Sequence, residues 1–399
     1  MTHSDTRGWL GVAAITSALF VFLTTELMPV GLLTPIASSL NVTIGTTGLM
    51  VTLYGVSAGL GVPFLVAWTR RLNRRWLLSA LLAVLVIGNI MTSIAPTFAL
   101  VLLIRLVMGF ANGMFWAIGV SMAMRIVPGK KASKAAAVVM SGISIAMVVG
   151  IPLGTLLQDI TNWRTTFMIW AGLSLIVFVA VSVAVPSLPS ANAISVREVF
   201  GLPVHNPRLA LVLVTVVFFV LGHFGAYTFV RPFLEQTTGA SPGFIMMALM
   251  VFGIGGAAGN VIAGGTVAKS LRSTFLVGSG LLIACLVTLI AFAQVGWIAM
   301  VALGLWGAAF GAVQLSQLTM TQMAAPQTFE AAMSLNTLAY NTSIAIAAFI
   351  GGFLVDSWGV RTVAWFGVAM MAAAIAMVST NRTAGEKALG SAGSARSRG

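Results

Sequence analysis

The chain alternates between long apolar runs and short polar breaks. Runs of about 20 residues, enough to cross a bilayer as a helix, fall at 10–33, 46–68, 76–95, 98–124, 135–157, 165–185, 209–230, 243–267, 274–293, 296–322, 331–354 and 362–380. They are continuous and too long for barrel strands, which are short and alternate in character. The pattern therefore predicts an all-α chain with twelve spans. One break stands out: residues 186–208 (PSLPSANAISVREVFGLPVHNPR) hold four prolines and separate the sixth run from the seventh. This predicts an N-terminal six-helix bundle over 1–185, a cytoplasmic linker over 186–208 with a short surface helix at 196–200, and a C-terminal bundle over 209–380. Two halves of similar size suggest a duplication, with a transport path between them. The tail 381–399 is rich in Gly, Ala and Ser and is expected to be disordered.

Composition sharpens this picture. Of the 399 residues 59% are hydrophobic and 7% charged, against about 25% charged in a soluble protein. No water-soluble domain hides so much apolar surface, so the chain is a multi-pass membrane protein with the lipid bilayer as a partner. The net charge of +13 invites a nucleic-acid partner, but the placement of the charge excludes one. Alternate connections and the two ends carry Arg7, then Arg70, Arg71, Arg74 and Arg75, then Arg125, Lys130, Lys131 and Lys134, then Arg197 and Arg208, then Lys269 and Arg272, then Arg382, Lys387, Arg396 and Arg398. Arg164, Arg231 and Arg361 fall in the opposite loops, and Arg105 lies within a span. By the positive-inside rule both termini face the cytoplasm. The single cysteine, Cys285, offers neither a disulfide nor a cysteine metal site and reads as a packing residue. The start, MTHSDTRGWLG, has no small-residue cleavage site, so a retained first helix is expected rather than a signal peptide.

Candidate chemistry begins in the first run with Glu26, the only acid expected at membrane depth. A charged side chain at the centre of a bilayer costs about 3 kcal/mol on insertion scales, so it normally faces a bundle interior or wet cavity. Pro29 follows in Met28-Pro-Val-Gly31, where the missing N–H frees a carbonyl and weakens the helix. In the fourth run Arg105, Gly109 and Gly113 share one face. Arg105 cannot shed its proton. It either snorkels or faces a cavity and tunes nearby protonation. In the fifth, Gly142, Ala146, Gly150 and Gly154 form a small-residue face that permits close helix approach, and Pro152 adds a bend. The connection after the second run, Thr69-Arg-Arg-Leu-Asn-Arg-Arg75, is either topological charge alone or a hinge latch.

Several of these stretches resemble the major facilitator superfamily (MFS). The 69–75 loop resembles its G-x-L-x-D-R-x-G-R-R signature at Arg71, Arg74 and Arg75. Arg70 stands in place of the Asp and Val66 in place of the leading Gly, so the usual Asp contact is lost. Arg105-x-x-x-Gly109-x-x-x-Gly113 is similar to a second family pattern. Gly150-Ile-Pro-Leu-Gly154 resembles the antiporter motif of the drug/proton antiporter branch, which implies a seal between the two halves; Trp163-Arg164 and Phe167 resemble that branch too. Thr25-Glu-Leu-Met-Pro-Val-Gly-Leu-Leu-Thr-Pro-Ile-Ala37 resembles the opening of sugar-efflux transporters. In the second half, 264–272 is a degraded echo of the loop signature, and Asn336, Asn341, Gly351 and Gly352 echo the family's eleventh helix.

The resemblance implies two pseudo-symmetric bundles and alternating access in a bacterial inner membrane. It further implies proton-coupled export of small sugars or sugar analogues, or alternatively of chloramphenicol-like antibiotics and lipophilic cations. A monomer is expected, with no metal and no cofactor beyond protons as coupling ion. Polar groups in the spans complete the candidate cavity: Tyr54, Ser57, Asn112, Trp116, Tyr227, Asn260, Gln314, Gln317, Asn336, Tyr340 and Asn341, each either a ligand contact or interhelical glue. His223 is either a second protonation site or a packing histidine. An embedded enzyme would need a denser cluster of His, Asp, Glu or Ser, and a channel a ring of charge. A binding-only receptor is the remaining alternative.

Overall fold

A computed structural model describes residues 3–68, 72–127, 131–187 and 196–380 of the chain. The predicted Arg70, Arg71 and Lys130 and the tail 381–399 lie outside the described residues, as does 188–195 of the linker. Among the described residues there is no strand. Twelve helices are long and apolar enough to cross a membrane: Gly8–Gly31, Ile44–Gly61, Arg74–Ile94, Phe98–Ile126, Lys134–Ile160, Trp163–Ala184, Pro207–Tyr227, Pro242–Val267, Leu271–Phe292, Gly296–Ala324, Ala331–Trp358 and Arg361–Thr380. Each overlaps its predicted run. The largest differences lie at helix ends, as in the fifth, which continues through Asp159. The helix expected within the linker at 196–200 is present and longer, running Val196–His205.

The breaks between spans are set by capping. Asn73, Thr97, Asn162, Asn206, Ser241 and Ser270 each accept a hydrogen bond from a backbone N–H in the first turn of the span they precede. Each such cap is worth about 1 kcal/mol and fixes where the helix begins. Asn206 also donates to the Ala324 carbonyl at 2.8 Å, tying the seventh span to the end of the tenth. Arg164 caps in the other direction: it donates to the Ser93 and Ala95 carbonyls (3.1 and 2.7 Å), closing the end of the third span, and stacks on Trp163 at 4.3 Å.

The spans form two six-helix bundles with matching internal contacts. In the first, the fourth span packs backbone to backbone on the second, so that a Cβ on Gly109 or Gly113 would sit 2.2 or 1.9 Å from the carbonyls of Tyr54 and Ala58. In the other, a Cβ on Gly307 or Gly311 of the tenth span would sit 2.0 or 2.1 Å from the carbonyls of Phe252 and Gly256 in the eighth. The four pairs (Gly109 and Gly307, Gly113 and Gly311, Tyr54 and Phe252, Ala58 and Gly256) share one sequence offset, so the two contacts are the same device used twice.

Two seams join the bundles. The second span lies on the eleventh, where a Cβ on Gly55 would come within 2.9 Å of the Asn341 carbonyl, and the fifth lies on the eighth, where a Cβ on Gly253 would come within 2.4 Å of the Met147 carbonyl. Leu23, Leu27, Val30, Val51, Met147 and Ile151 of the first bundle belong to the same buried cluster as the core of the second. The rest of the first bundle has a core of its own.

Candidate functional site

The first span does not run straight to its end. Its α-helix stops at Leu27, a short 3-10 turn covers Met28–Gly31, and a second helix runs Leu33–Leu40. Pro29 is the cause: it has no N–H for the carbonyl of Thr25 four residues back or Glu26 three back. A carbonyl freed inside a bundle needs another donor, and Arg105 supplies it. Its Nη1 donates to the Thr25 carbonyl at 2.8 Å, Nη2 to the Glu26 carbonyl at 2.9 Å and Nε to the Met50 carbonyl at 3.3 Å. The guanidinium is fully buried and lies over the Tyr54 ring at 4.5 Å. It does not snorkel.

Glu26 itself is 6% exposed. Its Oε2 accepts from Asn112 Nδ2 at 3.0 Å. The carboxyl group thus leans on a neutral amide while the nearby cation is engaged by backbone carbonyls. Asn112 Oδ1 and the Tyr54 hydroxyl are buried beside it with no protein partner. Behind the turn, Asn89 reaches the hydroxyls of Thr25 and Ser174 at 3.5 Å each. The sequence singled out Glu26, Arg105, Tyr54 and Asn112, and the structure brings these four together; Asn89 was missed.

The other candidates are scattered more widely. Tyr340 of the eleventh span lies within electrostatic range of Glu26 from the opposite bundle and meets the Phe224 ring at 5.9 Å. Trp116 packs half-buried between the two cores. Asn260 and Gln314 line one recess with Ser144 and Phe310 at the fifth–eighth seam. Gln317 Nε2 and Asn336 Oδ1 are buried without a partner. Ser57 and Asn341 are bonded within their own helices, to the Leu53 and Tyr54 carbonyls and to the Thr337 carbonyl. Both sit on helix seams, but these bonds stay within one helix and join no pair of helices.

His223 sits in the second of the two settings its sequence allowed for, packed among rings. It is fully buried, its Nδ1 accepts from Trp306 Nε1 at 3.1 Å, and its ring stacks on Phe310 at 4.0 Å and Tyr227 at 5.3 Å. Tyr227 in turn stacks on Phe252 at 4.6 Å. Phe252 and Phe310 are the counterparts of Tyr54 and Asn112 under the repeat offset. The second bundle therefore holds an aromatic cluster where the first holds the polar one.

The glycine face of the fifth span also differs from expectation. Gly142, Gly150 and Gly154 turn toward the first span of their own bundle, where added Cβ atoms would meet Thr16, Thr24 and Met28. The seam to the other bundle is made by Met147 on a wide π turn, Ala146–Gly150. Pro152 explains that turn, because it offers no N–H to the Val148 carbonyl. Arg74 and Arg75 open the third span, and Arg75 donates to the Ser182 carbonyl in the sixth, a contact within one bundle.

A group of contacts absent from the sequence expectations closes the face opposite the termini. Thr43 Oγ1 and the Gly45 N–H donate to Asp356 at 2.6 and 2.9 Å, joining the second and eleventh spans. Arg231, read from sequence as a loop residue, is 5% exposed in the helix Val230–Thr238 that follows the seventh span. It donates to Glu235 at 2.8 Å and, across the bundles, to the Gly31 carbonyl at 2.5 Å and Asp159 at 3.5 Å. Thr34 donates to Glu235 at 2.5 Å, also across the bundles.

Twelve spans in two repeated bundles, with a broken first helix and an acid buried in the first bundle, define a membrane transporter of the two-bundle type. The family model of the Major Facilitator Superfamily matches residues 13–331. The chain belongs to that superfamily. It is 30% identical over 351 residues to the "Probable sugar efflux transporter" of Helicobacter pylori strains P12 and ATCC 700392 / 26695, covering 88% of this chain and 90% of each relative. Among solved structures, a bacterial homolog to the human lysosomal transporter Spinster, inward-facing and unoccupied, matches with a TM-score of 0.69. That match is 14% identical and covers 96% of each chain.

Proposed function

We propose that the protein is a proton-coupled antiporter that exports small sugars or sugar analogues across the inner membrane, with Glu26 as the protonation site. The observation that carries this is the Glu26 carboxyl group, buried and held by Asn112 rather than by a cation. A carboxylate locked in an ion pair holds its charge through a transport cycle. One resting on an amide is free to take and release a proton as water reaches it from one side or the other. Alternating access supplies both settings, as the bundles rock about a midplane site. Asn112 Oδ1 and the Tyr54 hydroxyl, an acceptor and a donor without protein partners beside the acid, suit a hydroxylated substrate. The names of the relatives support the same class. A proton moving down about 100 mV is worth about 2.3 kcal/mol, enough for a roughly fifty-fold gradient of a neutral solute.

The positive-inside rule puts the termini in the cytoplasm, so the closed face is the outer one. Glu26→Gln should fold normally and lose proton-driven efflux from inverted vesicles; undiminished driven efflux would refute the role. The aromatic cluster around Phe224 and Tyr340 favours one second reading, export of flat amphipathic antibiotics. Growth of an efflux-deficient host on toxic sugar analogues and on antibiotics separates the two: protection against the antibiotics alone selects the second.

A further inference from the structure

The short helix Leu33–Leu40 that continues the first span contains a second proline, Pro35, and the Gly31 carbonyl lies four residues before it. Pro35 has no N–H to give, so the Gly31 carbonyl is left without its intrahelical donor just as Thr25 is by Pro29. Two carbonyls are freed in one broken helix, and two buried arginines take them. Arg105, from the same bundle, takes the first. Arg231, from the other bundle, takes the second at 2.5 Å, with a side chain only 6% exposed. The difference matters, because the Arg105 contact survives any rigid-body motion of the bundles and the Arg231 contact does not. Opening the outer face pulls Arg231 away and leaves the carbonyl to water.

We propose that Arg231 is the cross-bundle latch of the outer face, and that it works by capturing the carbonyl Pro35 leaves free. Gly31 ends the 3-10 turn that starts two residues after Glu26. Closing the latch therefore fixes the turn beside the protonation site, and releasing it lets that turn move. Asp159 and Glu235 orient the guanidinium, Glu235 from one turn further along the same helix face at 2.8 Å and Asp159 across the seam at 3.5 Å. The main bond is to the carbonyl, which is shorter and buried.

The latch rests on the alternating-access reading, but its test does not depend on the substrate. Spin labels are placed at Ser39 and Gln236, exposed residues on the two sides of this seam, in full-length protein carrying Cys285→Ser, and the inter-label distance is measured in lipid nanodiscs. Arg231→Met should shift the closed-to-open ratio roughly tenfold toward the longer distance, the size expected when a charge-assisted hydrogen bond is lost. Arg231→Lys, which keeps a donor, should fall between it and the parent. Asp159→Asn should stay close to the parent. An unchanged distance distribution in Arg231→Met overturns the latch, and so does an Asp159→Asn effect as large as that of Arg231→Met, which would make the device an ion pair. Should Arg231→Met fail to fold, Pro35→Ala gives the Gly31 carbonyl a competing N–H and should open the face in the same direction; no opening there overturns the proposal. A Glu26→Gln variant that still drives efflux would sink the coupling mechanism while leaving these distances as they are.

Discussion

At the scale of single residues, Arg105 replaces the donor that Pro29 removes from the first span. Its donors are taken by the carbonyls of Thr25, Glu26 and Met50. Arg105→Met would strand them in a water-poor interior, where each unsatisfied group costs about 1–3 kcal/mol. The expected outcome is a drop of several degrees in melting temperature together with loss of transport. Pro29→Ala, which returns an N–H to the same stretch, should recover part of the stability and none of the transport. A rescue of both would mean that Arg105 serves structure alone. His223 makes the opposite case. Rings cover it and Trp306 holds its Nδ1, so His223→Phe should keep most of the proton-driven flux in reconstituted vesicles. Loss of pH dependence in that variant would return His223 to the proton path.

At the scale of elements, the spans and the breaks between them were legible because both follow from local chemistry: length of apolar run, capping residue, proline. The kink after Glu26 was legible for the same reason, since Pro29 removes a donor whatever surrounds it. The partners that replace that donor were not legible. Arg105 and Thr25 are 80 residues apart, Arg231 and Gly31 are 200 apart, and Gly45 and Asp356 are 311 apart; no local pattern links them. Nor does a small-residue face announce which helix it meets, so the 142–154 glycines looked like a seam between bundles and instead pack within one. Where a face is known, its tolerance can be stated. Gly109 sits against the Tyr54 carbonyl and Ser57 Oγ, at 2.2 and 2.3 Å from an added Cβ. Gly109→Val should force the second and fourth spans apart and destabilise the protein by about 1–3 kcal/mol, read as a lower melting temperature. An unchanged melting temperature would show that the contact yields without strain.

At the scale of the whole molecule, the two bundles share a backbone plan and differ in chemistry. One carries the acid, the arginine and the amide at its repeat contact, and the other carries Phe252, Phe310 and Trp306. That asymmetry leaves one buried acid at the repeat contact, which is what the proposed single proton site needs. Under the alternating access proposed above, both faces open in turn, and the face opposite the termini, the outer one in that reading, is held by contacts that cross the bundle boundary, Thr43 and Gly45 to Asp356 among them. These are exposed enough for a reagent to reach. A Thr43→Cys, Asp356→Cys protein in the Cys285→Ser background should therefore transport while reduced. It should stop when the pair is joined by a short bifunctional thiol reagent with a reducible link, and recover when that link is cleaved. The reduced protein controls for the two lost side chains, and each single cysteine for the reagent. Full flux through the joined protein would mean that the outer seam never parts, which rigid bundles moving substrate outward cannot allow.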